Sequence, residues 1–301
     1  VIPARTVSTD LAFQGPTLFG AAPTRAVVRP ARDGGLRVRR TDLPGQPVLP
    51  ADVALVDNSA RASHNRRTVL RAGQASASTT EHLLSALWAA GVTDALIDLQ
   101  PLSPPDPPPP IDAEVPMGDG SALVFARALV GHVVALPREA PPIAPVAPVL
   151  ASDAGATIRL DPPAQGQAHR LIIRYDLAFD PAQGLPAQHA AFTIDWHDAH
   201  ATLHAYVQEV APARTFCTIA EREHFLAHGL FTHVAAGTVH VLADAHAPER
   251  LHNEAARHKV LDIIGDLALT GAGRPLVGTL TATRSGHTLN HRLAALLRPA
   301  D

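Results

Sequence analysis

The chain has one cysteine, Cys217, so neither an intrachain disulfide nor a cysteine-rich zinc centre can form within it. Aromatic residues are scarce, with 2 Tyr, 2 Trp and 8 Phe, and there is a single Met. The core must therefore be built mainly from aliphatic side chains. No apolar run reaches the roughly 18 residues of a membrane-spanning helix, because Pro, Gly, His or a charge interrupts each one. The opening Val1-Ile2-Pro3-Ala4-Arg5 lacks the apolar stretch of a signal peptide. A basic surplus is missing as well: 25 Lys and Arg stand against 28 Asp and Glu, for a net charge of -3. No nucleic-acid partner is expected on that balance. These absences predict a cytoplasmic protein with no integral membrane segment, expected to be a monomer.

What is present points to a folded enzyme-sized chain. Its 301 residues, 46% hydrophobic, suit two ordinary domains. Thr24–Pro30 and 35–39 read as short strands with one polar face, and 95–99 as a buried strand. Leu83, Leu84, Leu87 and Trp88 give a helical stripe over about 80–90, with Gly91 as its stop. Further helices are expected over 120–129, 219–228, 253–269 and 289–297, and strands over 171–175, 191–194 and 277–283. Two stretches are proline-rich. Pro101 to Pro110 lacks the amide donors for helix or central strand and reads as an exposed loop. Pro137 to Pro148 is the expected linker, dividing the chain into residues 1–136 and 137–301.

The 17 histidines, against a background rich in Arg, Ala and Pro, are mostly expected to be ordinary surface or core residues. Two positions differ. Glu81-His82 opens the first helix, and His258, Asp262 and Asp266 follow at four-residue spacing on another, forming a polar row beside Val260, Leu261, Ile263 and Ile264. Two His nitrogens and one carboxylate, with a fourth position open, make a catalytic zinc set, and a neighbouring Glu is placed to act as base. Spacing alone also allows a salt-linked surface row at 258–266 and simple helix-end complementation at Glu81.

Five blocks, in order along the chain, resemble the bacterial UDP-3-O-acyl-N-acetylglucosamine deacetylases of lipid A synthesis. They are Thr79-Thr80-Glu81-His82-Leu83, Glu114-Val115-Pro116-Met117-Gly118-Asp119-Gly120-Ser121-Ala122, Ala213-Arg214-Thr215-Phe216, Arg257-His258-Lys259-Val260-Leu261-Asp262 through Leu267, and Arg284-Ser285-Gly286-His287-Thr288-Leu289-Asn290. The resemblance implies an α+β fold of two related domains, each a β-sheet packed on helices, with the active site at their interface. It assigns zinc to His82, His258 and Asp262, and a His2Asp donor set also accepts iron. It makes Glu81 the general base. His287, held by Asp266, becomes the cationic group that stabilises the oxyanion and protonates the leaving amine. Thr215 would donate to the oxyanion, Lys259 would face the nucleotide, and Phe216 would pack near the sugar. Arg284 and Phe179 complete the expected contacts to a UDP-linked acylated amino sugar. An insert over about 216–242 would build an apolar acyl passage, with Phe225, Leu230, Phe231 and Val241 among its lining.

The chain also departs from that pattern. Phe19 stands where better-known members carry a histidine, Arg284 replaces a lysine, and the insert reads Ala236-Gly237-Thr238-Val239 in place of an Asp-Asn-Ala sequence. All metal and proton-transfer positions are retained. Phe19 and the altered insert leave a second reading open, a related zinc amidohydrolase acting on a different N-acetylated sugar or conjugate.

Overall fold

Strand alternation sets the frame. In Thr24–Pro30, Ala26 and Val28 are buried while Arg25 is exposed, and in Leu36–Arg40 the buried Leu36 and Val38 alternate with half-buried Arg37 and Arg39. A period of two with one apolar face fits a sheet that covers a core on one side. A computed structural model of the chain describes residues 1–20, 22–59, 66–102, 112–179, 185–244, 246 and 248–299. The proline loop expected over 101–110 lies outside these from residue 103 onward.

Two five-stranded sheets carry the fold. Across its width the first runs Leu11–Gly15, Thr24–Pro30, Ala95–Pro101, Leu36–Arg40, Val48–Pro50. The second runs Val149–Asp153, Ala156–Asp161, Gly278–Thr283, Arg170–Leu177, Gln188–Asp195. In each, the last strand of the sheet lies in the middle, antiparallel to the second strand and parallel to the third. The two halves thus share one topology, although their residues show no repeat.

The helices occupy equivalent places in that plan. Helix α1 (Glu81–Ala89) precedes the middle strand of the first sheet and α2 (Leu123–Leu129) follows it. In the second half α3 (Ala199–Glu209), α4 (Ile219–Ala227) and α5 (Glu254–Leu267) precede the middle strand, and α6 (His287–Leu297) follows it. No described helix is long and apolar enough to cross a membrane. Helix α3 is absent from the sequence expectations; Asp198 caps it by accepting from the Ala201 amide at 2.9 Å. The 120–129 helix begins only at Leu123, since Gly120 takes φ +83. The expected linker begins inside a strand: Val133–Glu139 pairs with Pro3–Val7 and crosses the anticipated limit at 136/137. Residues 216–242 form a strand–helix–strand unit in which Phe216–Thr218 and His240–Leu242 pair in parallel around α4.

The halves meet where α1 packs on α5. Gly265 makes this possible: a Cβ there would sit 2.1 Å from the carbonyl oxygen of Glu81. Near the other end of α1, Trp88 and Trp196 pack edge to face at 5.0 Å, and their Nε1 groups donate to the carbonyls of Gly273 (3.2 Å) and Leu276 (2.8 Å). Buried residues of both sheets belong to one core cluster. Gly265→Ala forces backbone apart rather than a flexible side-chain tip. It is expected to cost about 1–3 kcal/mol, read as a lower urea midpoint at unchanged slope. A midpoint equal to wild type would show that the helices can separate freely.

Candidate active site

Each helix that brings chemistry to the site is entered through a non-glycine residue in the left-handed region: Thr79 (φ 52) before α1, Asn253 (φ 58) before α5 and Arg284 (φ 55) before α6. That conformation costs roughly 1–2 kcal/mol and has to be held by surrounding bonds. At Thr79 the holding bond is visible. Its hydroxyl donates to Glu114 at 2.7 Å, and the same carboxylate receives the amides of Leu18, Phe19 and Gly20 at 3.0–3.2 Å. The Glu114 block therefore fixes both the start of α1 and the loop carrying Phe19.

His82 on α1 and His258 and Asp262 on α5 converge, with candidate ligand atoms all within 4.8 Å of one another. All three are buried. His258 donates from Nδ1 to the carbonyl of Ala213 at 3.0 Å, which leaves the lone pair of its neutral ring on Nε2. That Nε2 lies 3.3 Å from Asp262 Oδ1, and Oδ1 is buried without a hydrogen-bond partner. A lone pair facing an unpartnered carboxylate oxygen is repulsive unless a cation sits between them. Burial and the neighbouring His258 hold the His82 pKa down to about 3, so it too is neutral as a ligand must be. The set fits a divalent metal of the zinc or iron type. The other oxygen of Asp262 accepts from Lys259 Nζ at 2.8 Å.

The segment after α3 is pinned to the first residue of α5. Arg214 donates to both oxygens of the fully buried Glu254, from Nε at 2.8 Å and Nη2 at 2.9 Å. This fixes Ala213 and, through its carbonyl, the ring of His258. The sequence reading took Thr215 and Phe216 from this block and passed over the two residues before them.

Around this candidate ligand set stand Glu81 and His287, each among charged neighbours. Burial lifts the Glu81 carboxyl to about 8, against the pull of His287. Its Oε2 accepts from the Thr68 amide at 3.2 Å. Burial opposes a charge on His287, but Asp266 and then Asp262 outweigh it and raise its pKa to about 9. His287 Nδ1 is 2.8 Å from Asp266 Oδ2, which also accepts from Asn290 Nδ2 at 2.9 Å. Asp266 Oδ1 accepts from Thr68 Oγ1 at 2.6 Å and His291 Nε2 at 3.1 Å. His287, Asn290 and His291 share a helix face at i, i+3 and i+4, a spacing legible in the sequence but not read there. Thr68 carried no such signal.

A cavity of about 450 Å³ opens over these groups, with Thr215, Phe216, Lys259 and Arg284 in its wall. Lys259 Nζ lies 5.4 Å from the centre of the Phe216 ring. Arg66 and Arg67 add further positive charge to the lining. Phe179 is not in this wall; it is half-buried and packs against the core. Nor do Phe225, Leu230, Phe231 and Val241 of the insert reach it. Phe19 forms the wall on that side, packed on Phe231 at 5.2 Å and covered by the Arg67 guanidinium at 4.7 Å.

A family model described as UDP-3-O-acyl N-acetylglycosamine deacetylase matches residues 4–298. The chain belongs to that deacetylase family. It is 31% identical to the UDP-3-O-acyl-N-acetylglucosamine deacetylase of Citrifermentans bemidjiense over 99% of its own length and 90% of the relative's. The deacetylase of Myxococcus xanthus is 31% identical over 96% and 84% of the two chains, and that of Chromobacterium violaceum 30% over 96% and 88%. The cluster just described thus lies in a deacetylase-family scaffold matched nearly end to end.

The His287–Asp266 pair gives a pH signature of stability. His287 is raised from 6.5 in the unfolded chain to about 9, so its contribution is full below about pH 6.5 and is lost as pH rises through about 9. Urea unfolding of chelator-treated wild type and His287→Gln should show a stability gap that narrows between pH 7 and pH 10. A gap constant over that range would mean that His287 is not charged in the folded state.

Proposed function

We propose that the chain hydrolyses the N-acetyl group of UDP-3-O-acyl-N-acetylglucosamine to a free amine and acetate, a step of lipid A synthesis, as a cytoplasmic monomer. One observation carries the reading: the unpartnered Asp262 Oδ1 beside the Nε2 lone pair of His258, flanked by Glu81 and His287. His82, His258 and Asp262 would hold the metal, zinc by donor set with iron as a substitute. When bound, the metal supplies Lewis acidity toward the amide carbonyl and makes water a nucleophile near neutral pH.

The chain's own residues account for the remaining steps. Glu81 takes the proton of the attacking water, and the nearby cationic charge favours its ionised form against burial. Thr215 donates to the carbonyl oxygen as it becomes negative, and cationic His287 stabilises the same charge. The sugar nitrogen cannot leave as an amide anion. His287, held through Nδ1 by Asp266, is placed to protonate it from Nε2 as the C–N bond breaks. Lys259 and Arg284 face the anionic nucleotide, and Phe216 gives the sugar an apolar wall. Phe179 lies outside the cavity wall, and its expected uridine contact would require that part of the substrate to extend past it.

Phe19 favours the second reading, a different N-acetylated sugar, because it puts an aromatic ring where the acyl group is expected. Acetate release separates the two. Metal-loaded protein is expected to release acetate from UDP-3-O-acyl-N-acetylglucosamine, and Glu81→Ala to keep its metal while losing about 10²–10⁴-fold in rate. Metal lost together with activity would move Glu81 into the ligand set. No release from this substrate by folded, metal-loaded protein would remove the lipid A reading.

A further inference from the structure

Thr68 is fully buried, lies just ahead of the strand Val69–Ala72, and touches both halves of the proton-transfer machinery. Its amide donates to Glu81 Oε2 at 3.2 Å, and its hydroxyl donates to Asp266 Oδ1 at 2.6 Å. His291 Nε2 approaches the hydroxyl at 3.0 Å and the same Asp266 oxygen at 3.1 Å, so one N–H is shared between them. With His287 and Asn290 on Oδ2, the Asp266 carboxylate receives four donors and is wholly excluded from solvent. Four donors stabilise the ionised carboxylate, so the Nδ1 proton stays on His287. The carboxylate then holds that ring in place, with Nε2 turned to the cavity.

We propose that Thr68, with His291, is a positioning residue of the reaction. It ties Glu81 on α1 and Asp266 on α5 to one backbone position, and so fixes the separation between the group that removes a proton and the group that delivers one. Neither residue reaches the reacting atoms; both act through Asp266 and Glu81. The catalytic expectation rests on the deacetylase reading, whereas the geometric one does not.

Three variants test it. Thr68→Val keeps the amide and the shape but lacks the hydroxyl, Thr68→Ser restores the hydroxyl, and His291→Leu removes the second donor. Thr68→Val is expected to lose about 10–100-fold in kcat at nearly unchanged KM and metal content, and Thr68→Ser to recover most of that loss. The double variant Thr68→Val/His291→Leu should lose little more than the worse single change, because both act on one carboxylate. Should Thr68→Val fail to fold, His291→Leu carries the same expectation.

A readout without substrate accompanies the kinetics. The Nδ1–H proton resonance of His287, identified as the low-field signal missing from His287→Gln, should shift in Thr68→Val and return in Thr68→Ser. Wild-type kcat in Thr68→Val with an unmoved resonance overturns the proposal. So does a Thr68→Ser variant as impaired as Thr68→Val. A wild type that releases no acetate, yet shows the shifting resonance, removes the deacetylase reading and leaves the positioning role intact.

Discussion

Gly265 brings the backbone of α5 against that of α1, and the geometry of the site follows from that contact. Asp262 lies three residues before it and Asp266 one residue after, while the carbonyl it faces belongs to Glu81, the residue next to His82. A shift of the helices relative to each other would change the distance from His82 to His258 and Asp262, and from Glu81 to His287, in one motion. Catalytic geometry is sensitive to displacements well below an ångström. A close backbone approach therefore falls where the tolerance is smallest.

Asp262 and Asp266 lie one turn apart on the same helix, and their surroundings give them different work. Asp262 has one oxygen satisfied by Lys259 and one left bare toward His258. Asp266 has both oxygens filled by hydrogen-bond donors from Thr68, His287, Asn290 and His291. The first is an incomplete shell that attracts a cation, and the second a complete one that orients a ring. Both are held well below the ordinary carboxylate range, because neighbouring cationic groups outweigh burial. Environment, rather than residue type, separates the roles.

The legible parts of the sequence were those set by local period. The row at 258, 262 and 266 survives intact because helical spacing fixes which side chains share a face. Most helices were found within a few residues of their observed ends. Sheet order was not legible, since pairing Ala95–Pro101 with Leu36–Arg40 is decided by contacts far apart in the chain. Helix α3 escaped because histidines and alanines blur its apolar stripe. Which insert residues face the cavity was not legible either, because apolar composition does not say which side a residue faces; α4 buries none of its residues. Thr68 was out of reach, because a lone threonine ahead of a short strand has no pattern to read.

The candidate ligands come from both halves, with His82 in one and His258 and Asp262 in the other. In the unfolded chain they are separated by more than 170 positions of sequence, so no preformed chelate survives unfolding. Occupancy is then coupled to docking of the two sheets. A metal that binds only the docked form clamps the halves together with a strength set by its concentration relative to its dissociation constant. The ion that serves the chemistry would also act as a cross-link, and depleting it would loosen the seam between the halves before either sheet came apart.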